Sequence, residues 1–95
     1  MTNGTTASGF AYEFDPEKAN DLHVLDHVVT MASDTASVLE KTKALLALPR
    51  MLLGEEQTKA LYAHLAQLHD GRVPPAELER ELTEILSGGG SAGKN

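Results

Sequence analysis

Between Asp15 and Leu86 the chain carries stretches in which leucine, valine and isoleucine recur every three or four residues, separated by proline, glycine or capping residues. That spacing puts apolar side chains on one face of a helix, so the chain is constrained to short helices packed through such faces. Asp15-Pro16-Glu17 is a helix start: Asp caps, Pro suits the first helical position and an acid complements the dipole. A first helix is expected from about Pro16 to Ala32, with a stripe at Leu22, Leu25, Val29 and Ala32. Ser33 or Asp34 caps a second helix that ends before Pro49, with Val38, Leu39, Thr42, Leu45 and Leu46 as its stripe. A third runs from about Glu55, after Gly54, to His69, where Asp70-Gly71 stops it. The last spans about Pro75 to Leu86. Its spacing turns Leu78, Leu82, Ile85 and Leu86 inward and Glu77, Glu79, Arg80, Glu81 and Glu84 outward.

Residues 10–14, Phe-Ala-Tyr-Glu-Phe, hold three of the four aromatics and alternate with a period of two, which predicts a short strand. No second convincing strand is evident, so this segment is expected as an extended arm on the helices. Residues 1–9 are small and polar and residues 87–95 are rich in Gly and Ser. Both ends are expected to be disordered, leaving residues 10–86 as a single small helical domain. The expected architecture is all-α: a small bundle of about four helices with a short extended aromatic N-terminal arm and disordered tails.

Charge is unevenly placed. Residues 1–40 hold seven acids against Lys18, while the remainder is balanced, so the whole net charge of −6 sits in the first 40 residues. A chain of this sign is a poor partner for nucleic acid, whose binding rests on Lys and Arg at phosphates. No membrane span is expected, since the longest apolar run, Ala44 to Leu48, is far short of the ~18 residues required. No basic residue precedes Lys18, so no secretory signal is expected either. Without cysteine there is no disulfide framework, thiolate metal site or cysteine nucleophile.

Motifs for chemistry are sparse. His23 and His27 share a helix face at a spacing that suits zinc, but the run His-Val-Leu-Asp-His lacks the metalloprotease glutamate and no motif places a third ligand. His64 and His69 read as residues at the edge of a leucine stripe. His69-Asp70-Gly71 lacks the alternating acids of a calcium loop. No nucleophile elbow, phosphate loop or dinucleotide fingerprint is present. No cofactor or metal is expected, and no enzymatic activity.

Leu45 to Leu53 carries more apolar side chains than one helix face buries. Leu45, Leu46, Met51 and Leu52, with Phe10, Tyr12 and Phe14 of the arm, are therefore the candidate partner-binding residues, the competing reading being that they form the core. Three segments in order carry a resemblance: the aromatic run leading into Asp15-Pro16 and Asn20-Asp21; Leu48-Pro49 followed by Leu52-Leu53-Gly54-Glu55-Glu56; and Asp70-Gly71-Arg72-Val73-Pro74 leading to Leu82-Thr83-Glu84-Ile85-Leu86. Together they resemble the tail assembly chaperones of long-tailed, siphovirus-type bacteriophages. The resemblance implies a non-enzymatic protein of the bacterial host cytoplasm that binds and solubilises the tape measure protein. It also implies help in recruiting tail tube subunits, absence from the mature virion and, in many relatives, a longer frameshifted product. The alternative is a small acidic adaptor or regulatory domain binding one globular protein. A chain this small also suits homo-oligomer formation.

Overall fold

Ser8-Gly9, just ahead of the aromatic run, folds the N-terminus back on itself. A computed structural model of the chain, which describes residues 2–91 and side chains through Ser87, pairs β1 (Thr2–Thr5) antiparallel with β2 (Ala11–Phe14). The Gly9 N–H donates to the Thr6 carbonyl at 2.9 Å, and the Thr6 N–H to the Phe10 carbonyl at 2.9 Å. Gly9 has φ of 100°, the left-handed conformation that closes three-residue hairpin loops. The arm is thus one strand of a hairpin, and the supposedly disordered leader supplies the other. Gly4 pairs with Tyr12 across the ladder. The Tyr12 ring occupies the space a β-carbon at Gly4 would need, its Oη lying 2.5 Å from that position. A glycine therefore sits in a strand because an aromatic ring covers it.

Asp15 caps only a single 3-10 turn, Pro16–Lys18, its carboxylate accepting the Glu17 N–H at 3.0 Å. Helix α1 (Leu22–Ala32) starts at a second cap, Asp21. Helix α2 (Val38–Leu68) starts at Ser37, later than Ser33 or Asp34. Ser37 and Glu40 form a reciprocal capping box, with bonds of 3.0 and 2.9 Å. Ser37→Ala is expected to cost about 1 kcal/mol of unfolding free energy, measurable by urea titration.

The helix does not end before Pro49. That residue is buried inside α2, where it lacks the N–H that would otherwise donate to the Leu45 carbonyl. The change of direction comes at Gly54, with φ of 83° and ψ of 171°, a conformation essentially reserved for glycine. It divides α2 into two arms, and Arg50 reaches across it to Glu55 at 3.4 Å. The second arm stops at His69. The Gly71 N–H donates to the Ala66 carbonyl at 2.7 Å, and Asp70 takes the left-handed position with φ of 57°. Helix α3 (Pro75–Ser91) continues past Leu86 through the Gly-rich segment; residues 92–95 of the expected tail lie outside the described residues.

Among the described residues the architecture is three helices with a two-stranded antiparallel sheet. It is not a bundle of about four helices with an isolated arm. Strand β1 lies against α3 and β2 against α2. The inner face of the hairpin joins one core with the helices: Phe10, Tyr12 and Phe14 pack with Val24, Leu45, Leu48, Leu52, Leu53, Leu61, Leu65, Leu78, Leu82 and Ile85. The outer edge of β2 is closed at Glu13. The Gln57 amide accepts its N–H and donates to its carbonyl, both at 2.7 Å, and so takes the place of a third strand.

Candidate functional site

Helix α1 is apolar on two sides. Val24 is buried, with Val28 and Met31 packed against the core beside it. Leu22, Leu25 and Val29 lie on another side and are exposed, Leu22 at 81% and Val29 at 65%, while Ala32 lines a depression with Val28 and Met31. At 3.6 residues per turn the two stripes are centred roughly 130° apart. The stripe that the leucine spacing picks out is therefore the outer one, and the inner one is made of the valines and methionine between. An exposed apolar stripe of this kind is a candidate contact surface. Leu22, Leu25 and Val29 form a shallow depression with His23 and Asp26.

The cap fixes where this face begins. The Asp21 carboxylate accepts the His23 N–H at 2.9 Å and lies 3.0 Å from its ring Nδ1. The backbone bond from His23, then the ring bond, hold the Asp21 carboxyl below its ordinary value. From Ala19 to Glu40 the chain has four acids and neither Lys nor Arg. Helix α1 with its cap thus carries Asp21 and Asp26 and no Lys or Arg, while Lys18 lies ahead of it and Lys41 and Lys43 follow on α2. Val38, Leu39 and Leu46 on the first arm of α2 are exposed as well.

Most of the residues proposed from sequence for partner binding lie elsewhere. Phe10, Tyr12, Phe14, Leu45 and Leu52 are buried in the core, Phe14 at 2% exposure. Met51 is half-buried against it. Of that set Leu46 alone is exposed. The reason is the hairpin: once β1 pairs with β2, the three alternating rings face the helices together.

A polar cluster beneath the hairpin loop was not legible from spacing. Ser8 Oγ donates to Glu81 Oε2 at 2.7 Å and lies 3.1 Å from His64 Nε2. His64 Nε2 is also 3.1 Å from the Ser8 carbonyl oxygen, which only accepts, so Nε2 carries a proton. Hydroxyl, imidazole and carboxylate are together, but the ring donates to serine and the carboxylate holds the serine rather than the ring. A nucleophile needs the reverse wiring, with the imidazole as acceptor. The cluster ties the loop to α2 and α3, and Glu84 adds a bond from the Ala7 N–H at 2.7 Å. Glu81, expected to face outward, is buried with Oε1 unpartnered. A serine ahead of a hairpin glycine was the one available signal.

Among the described residues no three His, Asp or Glu side chains gather as a set of metal ligands. Arg80 pairs with Glu77 along α3, and that hydrogen bond raises the guanidinium pKa. No helix among the described residues is long and apolar enough to cross a membrane. Compared with models of known protein families, with curated proteins and with solved structures, the chain matches none.

Proposed function

We propose that this protein is a non-enzymatic assembly chaperone of the long-tailed bacteriophage kind. It acts in the host cytoplasm by covering apolar helical stripes of the tape measure protein, helps recruit tail tube subunits and leaves before the virion is complete. The observation that carries the reading is the outer face of α1, where Leu22, Leu25 and Val29 stand in water on a capped, well-formed helix. The order of the three sequence segments described above supports it. The aromatic residues of the hairpin have no part in the contact, because they are core.

The exposed face suits a transient role. Each side chain of this kind is worth about 1.5–3 kcal/mol when fully buried, and association costs offset much of that sum. Three or four such contacts hold a client and still release it.

Co-expression with a tape measure protein is expected to raise that partner's soluble yield, with the two proteins co-purifying. Leu25→Ser with Val29→Ser is expected to abolish the gain while leaving the chaperone's own unfolding midpoint in place. An unchanged yield without co-purification refutes the reading. A stable one-to-one complex with a globular partner instead of an extended one assigns the chain to the adaptor class.

A further inference from the structure

We infer that the occupant of the outer face of α1 is an amphipathic helix whose apolar stripe is bordered by lysine or arginine. This deepens the reading of the chain as a chaperone and rests on it. The face offers three apolar residues at positions i, i+3 and i+7, a run of two turns and about 10 Å long. A helix laid along it matches that length and spacing, whereas a single loop or an extended strand does not present apolar groups at the same interval.

Charge selects among helices. Asp21, the cap of α1, and Asp26 are exposed, and Asp26 lines the depression with Leu22, Leu25 and Val29. Neither α1 nor its cap carries a lysine or arginine; Lys18 lies ahead of the cap, and Lys41 and Lys43 follow on α2. A second copy of the chain laid on this face brings the same acids against themselves, which like-charge repulsion disfavours. A neutral or acidic stripe gains burial but meets the same field. A stripe edged with cations gains both, and its encounter rate rises as well.

The full-length protein is titrated by fluorescence anisotropy with three synthetic helical peptides. One carries a leucine stripe flanked by lysine, one the same stripe flanked by glutamate, and one the lysine composition with its leucines scrambled off the stripe. The lysine-flanked stripe is expected to bind about tenfold or more tightly than either control at low salt. That margin shrinks as salt is raised past the ionic strength where screening reaches contact distances. Asp26→Asn is expected to narrow the gap between lysine and glutamate peptides, and Leu25→Ser with Val29→Ser to weaken all binding to the lysine stripe.

Equal binding of the lysine and glutamate stripes overturns the inference. So does equal binding of the scrambled lysine peptide, which shows mere charge attraction, and so does binding of none of the three. Self-association that Leu25→Ser with Val29→Ser abolishes also overturns it, naming a second copy as the occupant. Each of these results leaves the co-expression experiment free to succeed, so the failure of this inference and that of the chaperone reading are told apart.

Discussion

Phe14→Ala is expected to lower the unfolding free energy by about 3–5 kcal/mol, the range for removing a buried phenylalanine. A domain of this length commands only about 5–15 kcal/mol, so the variant loses a large share of its stability. The ring is 2% exposed, within a cluster that draws on β2 and all three helices. Burial alone accounts for part of the loss, and the cavity left between rigid neighbours for the rest. Urea unfolding of the wild type and the variant measures it. A binding arm lying loose on the surface gives the opposite result, with the unfolding midpoint unchanged and only partner affinity reduced. The experiment therefore separates the two roles that the alternating aromatics suggest.

Gly4→Val is expected to destabilise the protein by about 1–3 kcal/mol, the usual cost of forcing extra atoms into a packed site. Strand propensity predicts the reverse, since valine is favoured in strands and glycine is not. The packing decides. A β-carbon at position 4 falls 2.5 Å from Tyr12 Oη and 2.7 Å from Cζ. Tyr12 is itself buried, so its ring has little room to move aside. Thr5→Val serves as the comparison: Thr5 is an exposed neighbour in the same strand, and the change is expected to be neutral or mildly stabilising. Thermal unfolding of both variants reads the sign. Stabilisation by both shows that β1 does not lie where Tyr12 covers it.

The helical punctuation was legible because it depends on local chemistry. Gly54 turns the chain where a break was expected, Asp70-Gly71 closes α2, and Pro75 opens α3. What could not be read depends on contacts distant in sequence. Residues 2–5, Thr-Asn-Gly-Thr, have no apolar alternation, and only the ring of Tyr12 makes Gly4 a strand residue. Pro49 reads as a helix stop until the core receives its ring. Glu81 has the spacing of a surface acid until Ser8, 73 residues away in sequence, comes down on it. Helix α1 is the most instructive case. Its two apolar stripes are equally good by period, so periodicity detects the helix but not which side the core takes. The candidate site follows from that ambiguity, because the side left over is the one that remains available to a partner.

Gln57 has a consequence for a protein with exposed apolar side chains on α1. A hairpin with a bare outer rung is an invitation to any unfolded stretch of polypeptide to zip alongside, and then to the next. By filling the Glu13 position with its own amide, Gln57 denies such a stretch its starting point. On the proposed reading, a client is left with side-chain contact on α1, which is reversible, rather than with backbone templating, which propagates.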